Sequence, residues 1–224
     1  MAELEDAERQ RLVERFGREV LSGAPIFGEG EPAEHCFLLE RGRVRLVKRV
    51  RSSDRSLTVL GPGDLFGEDA LLPGTVRSAS AVALTDCQVL ALDRATFGEL
   101  LTQSSTEVAL RLVAQVVRRL RHAEEQLENA MLRDSPSRVV NTLLRLAATA
   151  SDEEPEGRAL TISPLELSSR VGLDVDTVKR SIQQLRDGGY LHIKDERIIL
   201  PDLGALRQLY ELLGKKEEVR GGVI

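Results

Sequence analysis

The chain has 224 residues, of which 42% are hydrophobic, 30% are charged and only 3% are aromatic. This length allows two modest domains with aliphatic cores, and the formal net charge of −5 argues against a general polyanion-binding surface while leaving room for a local basic patch. Cys36 and Cys87 are isolated in the sequence, which excludes a four-cysteine iron–sulfur cluster within one chain and predicts two small buried side chains. The sequence shows no signal peptide or long apolar run, so we expect a cytoplasmic protein without a membrane partner.

The N-terminal half combines a helical segment with short strands. Residues 1–16 have the charged, amphipathic pattern of a helix. Between Gly23 and Leu92, glycines separate short apolar runs, which include residues 43–48, 56–60 and 80–92. Short strands with regular turn signals predict a small antiparallel β-barrel or roll. We assign residues 1–103 to this domain and its flanking helices.

A long helix is predicted next, from Ser105 to Leu132, and its apolar positions alternate at spacings of four and three. This heptad pattern predicts a helix that packs along another helix, most simply in a parallel homodimer. The predicted interface consists of Val113, Val116, Leu120, Ala123 and Leu127. Packing on the helix's own domain is the alternative, and Leu112 and Val117 widen the apolar stripe enough for both.

The heptads stop at residues 133–136, where Asp134 can cap a helix from Pro136 to Ala150. This break is a candidate hinge between the long helix, assigned to residues 104–133, and a last domain of residues 134–224. The acidic residues 151–157 predict a solvated loop.

The most informative stretch lies between Ser163 and Leu200 and predicts a helix, a turn, a second helix and a hairpin. Ser163 and Glu166 form a capping box for the first helix, and Gly172 provides the turn. Asp174 caps the second helix, which ends at residues 187–189. Two strands, residues 190–193 and 198–200, then enclose a polar turn. This order is typical of a winged helix-turn-helix.

The exposed face of the second helix carries side chains that read base edges and phosphates, and it should therefore enter a major groove of double-stranded DNA. A small three-helix core without DNA binding, or a protein-binding module, is the alternative. The candidate DNA-binding residues are Ser163, Asp174, Val175, Asp176, Thr177, Lys179, Arg180 and Gln183.

Taken together, a roll, a long dimer helix, a hinge and a winged helix resemble the cyclic-AMP receptor protein and FNR family of bacterial transcription regulators. The resemblance covers about residues 23–209. It implies an α+β fold with an N-terminal antiparallel β-roll, a dimerisation helix and a C-terminal winged helix-turn-helix. It also implies a homodimeric regulator that binds palindromic DNA and contacts RNA polymerase, and not an enzyme.

The segment FGEDALLPGTVRSAS, residues 66–80, resembles the phosphate-binding cassette of cyclic-nucleotide-binding domains. By this resemblance, Gly67 and Glu68 hold a ribose hydroxyl, Arg77 pairs with the cyclic phosphate and Ser78 adds a hydrogen bond. A cyclic phosphate is a monoanion that an arginine fork can bind with charge-assisted bonds. A cyclic nucleotide or cyclic dinucleotide is thus a candidate effector.

The cassette departs from the family pattern at Asp69, where an apolar residue is more usual and where a carboxylate would lie near an anionic ligand. On the long helix, Ala123 and Glu124 replace the two hydroxyl residues that contact adenine in the family's cyclic-AMP sensors. Glu124 remains a candidate ligand contact, for example to a guanine edge. The alternatives are that Glu124 pairs with Arg119 of a second subunit and that Arg77 pairs with Glu68 in a vestigial pocket. In that case, protein level, phosphorylation or partner proteins would control activity.

The second helix of the DNA-binding motif also departs from the family, because Val175 and Asp176 stand where the cyclic-AMP receptor has an Arg-Glu pair. The loss of that arginine predicts a palindromic site whose half-sites differ from those of the cyclic-AMP receptor. A dimer of such helices should place the two half-sites about one helical turn apart, ~34–36 Å. An enzyme on a β-roll would need clustered metal ligands. His35, His122 and His192 instead lie in three separate segments.

Overall fold

The computed structural model describes residues 6–50, 53–132, 134–150 and 153–221, and it divides into two compact units, residues 1–121 and 122–224. The predicted fold class is confirmed: antiparallel sheets precede a long helix and a helix-turn-helix. The three-part division of the chain at residues 103 and 133 stays a prediction.

The first unit is a roll built from two four-stranded antiparallel sheets. One sheet has the strand order β1 (Gly17–Val20), β8 (Cys87–Asp93), β3 (His35–Arg41), β6 (Leu65–Phe66), and the other has β2 (Pro25–Phe27), β7 (Ser80–Ala83), β4 (Val44–Val50), β5 (Ser53–Leu60). Residues 80–92 therefore form two strands, because residues 84–86 leave the extended conformation between β7 and β8.

The core of the roll contains more aromatic stacking than the 3% aromatic composition suggests. Phe27, Phe37 and Phe66 stack on one another with ring centroids 5.3–6.1 Å apart. Cys36 and Cys87 are buried and free, as predicted, and burial raises the pKa of the Cys36 thiol to about 11. Phe66 ends β6 and is the first residue of the candidate cassette, so its stacking on Phe27 and Phe37 anchors the start of the cassette in the core.

Helices cover the outer face of one sheet and connect the roll to the rest of the chain. The N-terminal helix α1 (Asp6–Phe16) is confirmed in its described part, and Met1–Glu5 lie outside the described residues. Helix α2 (Arg94–Gln103) is capped by Asp93. The long helix α3 (Thr106–Met131) agrees with the predicted range within two residues.

In its described residues, the second unit contains four helices beyond α3 and one small sheet. The helices are α4 (Ser135–Thr149), α5 (Pro164–Val171), α6 (Val175–Asp187) and α7 (Leu203–Gly221). The sheet has the order β11 (His192–Lys194), β12 (Arg197–Leu200), β10 (Gly157–Leu160), β9 (Glu153–Glu154). The core is aliphatic, and Val139, Leu143 and Leu167 are almost fully buried in it.

One prediction for this unit needs correction, and one helix was not predicted. The acidic segment was predicted as a solvated loop, but Glu153, Glu154 and residues 157–160 pair as strands; residues 151 and 152 lie outside the described residues. Helix α7 was not predicted, although Leu206 is completely buried in the core. The predicted break after α3 is confirmed, with α4 capped by Asp134, while Arg133 lies outside the described residues.

Candidate effector cassette and DNA-binding surface

The cassette begins with a backbone turn that requires glycine. Gly67 follows β6 with a positive φ of 68°, and a single 3-10 turn, Glu68–Leu71, comes next. A Cβ atom at Gly67 would lie 2.9 Å from Nη1 of Arg77, so both the conformation and the space disfavour a larger residue. The turn therefore brings its backbone against the arginine that the resemblance assigns to a phosphate.

Arg77 is buried, with only 4% of its surface exposed, and its two terminal nitrogens bind the chain itself. Nη1 donates to the carbonyl oxygen of Gly67 at 3.0 Å and Nη2 donates to that of His35 at 2.7 Å. The guanidinium lies 4.1 Å from the ring centroid of Phe27, and its Nε has no hydrogen-bond partner. Burial lowers the pKa of Arg77, while the charge of Asp69 opposes this shift.

Glu68 does not pair with Arg77, so the predicted alternative of an Arg77–Glu68 ion pair is wrong. Glu68 instead accepts a hydrogen bond from Nη1 of Arg119 on α3 at 2.8 Å. Arg119 also donates to the carbonyl of Leu65, as does the buried Gln115 at 2.8 Å. The first part of α3 thus holds β6 and the start of the cassette in place.

Ser78 is held by the residue at which the sequence departs from the family. Both its backbone N–H and its hydroxyl donate to Oδ2 of Asp69, at 3.1 and 2.9 Å. Thr75 fixes the same turn, because its hydroxyl donates to the carbonyl oxygens of Asp69 and Leu72. Glu124 is exposed on α3 in the other unit, and its role in ligand contact stays a prediction.

In the second unit, the predicted helix-turn-helix is confirmed together with its caps. Ser163 and Glu166 form a full capping box, in which Glu166 N–H donates to Ser163 Oγ at 3.2 Å and Ser163 N–H donates to Glu166 Oε2 at 2.9 Å. Gly172 ends α5 in the left-handed conformation, with φ 74°. Asp174 caps α6 by accepting from the Thr177 N–H at 2.8 Å.

Helix α6 buries one face and exposes the predicted DNA-binding face. Val178, Ser181 and Leu185 are buried. Arg180 donates from Nη2 to the Thr177 hydroxyl at 3.0 Å, and that hydroxyl donates to Asp174 Oδ2 at 2.9 Å. This chain of bonds directs Arg180 toward the N-terminal end of α6. The exposed side chains on this face are those of Asp176, Lys179, Arg180 and Gln183, with Val175 and Thr177 half-buried.

The predicted wing is present as the hairpin of β11 and β12. Its two turn residues, Asp195 and Glu196, have positive φ values of 49° and 61°, as a tight two-residue hairpin requires. Glu156 receives a hydrogen bond from Lys194 Nζ at 2.9 Å and lies 3.4 Å from His192 Nε2. The hydrogen bond from Lys194 lowers the pKa of Glu156. The wing therefore has an acidic tip and a lysine that is tied to the body of its unit.

Sequence reasoning missed a buried polar network that joins the end of α3 to α4 and α5. Asn129 is 2% exposed and donates from Nδ2 to the Thr142 hydroxyl at 3.0 Å and to the Arg170 carbonyl at 3.3 Å. Asn141 donates to Asn129 Oδ1 at 3.0 Å, and Gln126 donates to the carbonyl of Ser169. The only sequence signal was one polar residue, Asn129, beside the apolar stripe of a long helix.

The apolar stripe of α3 is exposed in the single chain. Relative exposure is 59% for Val113, 64% for Val116, 59% for Leu120 and 65% for Leu127, and Ala123 is exposed as well. Leu112 is half-buried, which agrees with a helix that also packs on its own domain through another face. A row of exposed aliphatic side chains along one helix indicates a surface that another molecule covers.

Neither a metal cluster nor a membrane-spanning helix is found among the described residues. Among the described residues, no group of three or more His, Cys, Asp or Glu side chains has a geometry that could hold a metal ion. Within the same ranges, no helix is long and apolar enough to cross a lipid bilayer.

Comparisons with known proteins agree with this architecture. The family model "Cyclic nucleotide-binding domain" matches residues 17–104, and "Crp-like helix-turn-helix domain" matches residues 137–209. The "Cyclic AMP receptor protein" of Thermus thermophilus is 32% identical over 188 residues, covering 84% of each chain. A "CRP-like cAMP-activated global transcriptional regulator" of Mycobacterium tuberculosis is 26% identical over 183 residues, covering 80% of this chain and 81% of that protein.

Solved structures give the same result for the fold. A CooA mutant from Carboxydothermus hydrogenoformans has a TM-score of 0.74 at 19% identity, covering 89% of this chain and 90% of that one. A CRP-family transcriptional regulator from Thermus thermophilus has a TM-score of 0.59 at 26% identity, covering 87% of this chain and 96% of that one.

A cyclic-nucleotide-binding-type roll followed by this helix-turn-helix defines a DNA-binding transcription regulator. The chain belongs to the CRP/FNR family of such regulators.

Proposed function

We propose that this regulator acts as a homodimer that binds a palindromic DNA site through α6. The observation that carries the proposal is the exposed face at the N-terminal end of α6, where Lys179 and Arg180 stand beside Asp176 and Gln183. Arginine and glutamine recognise guanine and adenine edges, and aspartate accepts from a cytosine amino group. The capped turn between α5 and α6 supports this role, because it holds α6 in a fixed orientation within its unit.

The dimer is proposed from the exposed stripe on α3. Burying an aliphatic side chain of valine or leucine size is worth roughly 1.5–3 kcal/mol, and four such side chains lie along one face. A second copy of α3 offers the same stripe, and two-fold symmetry makes such a surface self-complementary. Two α6 helices related by this symmetry would read two half-sites about one helical turn apart, ~34–36 Å.

The cellular setting follows from this role. A regulator that binds promoter DNA acts in the cytoplasm of a bacterial cell and works with RNA polymerase, and both are part of the proposal. Ser163 contributes through the cap rather than through a direct contact to DNA, because its hydroxyl accepts from the Glu166 N–H and also donates to Glu166 Oε2 at 2.7 Å. Asp174 likewise positions Thr177, so both residues are expected to act by holding the reading helix.

The regulator has two candidate modes of control, one with a small-molecule effector and one without. The relatives whose names describe them as cAMP-activated favour a cyclic nucleotide in the roll, held by Gly67, Glu68, Arg77 and Ser78, with Glu124 as a base contact. The second candidate is the same DNA-binding dimer without a small-molecule effector. The bonds from Ser78 to Asp69 favour this second candidate, because they engage the donors that a phosphate would need.

The experiment that tests the dimer uses Leu120→Glu, with Ala114→Glu as the matched control. Both positions are exposed on α3, but Ala114 faces away from the stripe. We expect Leu120→Glu to be monomeric by analytical ultracentrifugation and to lose high-affinity binding to a site selected from random DNA duplexes. Ala114→Glu should remain dimeric and bind. A Leu120→Glu protein that stays dimeric, or a wild-type protein that selects no palindrome, would contradict the proposal.

A further inference from the structure

We propose that Asp69 is an internal substitute for the effector's phosphate, which makes this roll exclude cyclic nucleotides and leaves DNA binding independent of them. This inference rests on the proposed function for the DNA-binding part only. The anion-binding part concerns the roll alone and can be tested without DNA.

Asp69 engages the kinds of donor that would hold a phosphate. A phosphate in a cassette of this kind is held by backbone N–H groups and hydroxyls of the turn. Here the N–H and the hydroxyl of Ser78 both donate to a single oxygen of Asp69, at 3.1 and 2.9 Å. A carboxylate oxygen that accepts two such bonds presents the same charge and the same acceptor geometry as a phosphate oxygen.

The side chains of Arg77 and Glu68 in the cassette also have partners within the chain. Both terminal nitrogens of Arg77 donate to backbone carbonyls, and Glu68 is bound to Arg119. Only Nε of Arg77 lacks a partner, and the face of the guanidinium is covered by the ring of Phe27. A ligand would have to break several of these bonds before it formed any of its own.

The backbone that carries Asp69 is fixed within the turn, and its carboxylate is held by the two bonds from Ser78. Its carbonyl oxygen accepts from the Thr75 hydroxyl and from the Leu72 N–H at 3.0 Å, so the backbone on both sides of the cassette loop is fixed. The next residue, Ala70, is buried in the roll. A cyclic phosphate at this position would therefore meet a carboxylate of the same sign of charge, which weakens binding strongly.

The test compares the wild-type chain with Asp69→Ala and Asp69→Asn. Asp86→Asn is the matched control, because Asp86 also accepts a backbone N–H in the roll, from Ser22 at 2.9 Å, but outside the cassette. Cyclic AMP and cyclic GMP are titrated into each protein by calorimetry. DNA affinity is measured by fluorescence anisotropy with and without each nucleotide.

We expect no nucleotide binding by the wild type or Asp86→Asn at millimolar concentration, and equal DNA affinity with and without nucleotide. Asp69→Ala should bind at least one nucleotide with a gain on the order of 100-fold. Asp69→Asn keeps the size of the side chain and removes its charge, so its gain in nucleotide affinity should be smaller. It replaces Asp69→Ala in the test if the alanine variant fails to fold.

Two results would overturn the proposal. One is micromolar binding of either nucleotide by the wild type. The other is folded Asp69→Ala and Asp69→Asn proteins that bind neither nucleotide. If no protein of the series binds DNA, the proposed function fails, while the calorimetric titrations still decide the role of Asp69.

Discussion

The cassette of the roll and the reading face of α6 carry similar polar side chains in opposite situations. In the cassette, Arg77 is 4% exposed and its terminal nitrogens bind backbone carbonyls. On α6, Arg180 is exposed and bonds only to a hydroxyl on its own helix, one turn away. An arginine that is built into a core stabilises the fold, whereas an exposed and oriented arginine is available to a partner.

The largest expected effect comes from removing Arg77, which tests whether this arginine stabilises the fold. We expect Arg77→Met to lower the free energy of unfolding by roughly 3 kcal/mol without any ligand, because one buried and one partly buried carbonyl oxygen lose charge-assisted hydrogen bonds. Arg18→Met, at an exposed position on β1, is the control and should change stability little. Chemical denaturation monitored by circular dichroism measures both. Equal stability of Arg77→Met and wild type would mean that Arg77 serves a ligand rather than the fold.

The corresponding substitution on α6 should impair DNA binding rather than stability. We expect Arg180→Ala to weaken specific DNA binding by ~1–3 kcal/mol and to leave the unfolding transition almost unchanged. Arg186→Ala removes the same charge from the last turn of α6 and should have a much smaller effect on the preferred site. Anisotropy titrations with the selected duplex measure both variants. Unchanged affinity of Arg180→Ala would refute its assignment as a base-reading residue.

The smallest expected effect concerns the wing. In the folded state, the hydrogen bond from Lys194 lowers the pKa of Glu156 below its usual value of 4.5. A carboxyl group with a lowered folded pKa contributes stability above its unfolded pKa and loses it as the pH falls through the folded value. We therefore expect Glu156→Gln to be slightly less stable than wild type at neutral pH. Thermal midpoints should converge on acidification below pH 4.5; a difference that persists in acid would contradict this.

The parts that could be predicted from the sequence are those fixed by neighbours along the chain. Ser163 and Glu166 are three residues apart and form the predicted capping box, and Gly172 and Asp174 likewise act within one turn. The heptad spacing predicted an exposed stripe on α3 because all its members share one helix. Local geometry was therefore sufficient for the helix-turn-helix and the long helix.

The state of the cassette could not be predicted in the same way, because its bonds join residues far apart in sequence. Glu68 binds Arg119, 51 residues away, rather than Arg77, and Arg77 binds the carbonyl of His35, 42 residues away. The sequence showed that Asp69 was unusual and would lie near a ligand. Only the folded turn shows that its carboxylate accepts both donors of Ser78.

The network around Asn129 has a practical consequence for dissecting the molecule. A fragment that began at α4 would lack Asn129. The Arg170 carbonyl would then lose its side-chain donor, and the Thr142 hydroxyl would keep only its bond to the Arg138 carbonyl. Buried polar groups that lose partners are costly. Such a fragment would also lack the carbonyls of Ala130 and Leu132 that accept from Arg138. An autonomous DNA-binding fragment should therefore start inside α3, near His122, so that the last turns of the long helix remain attached to the unit that they complete.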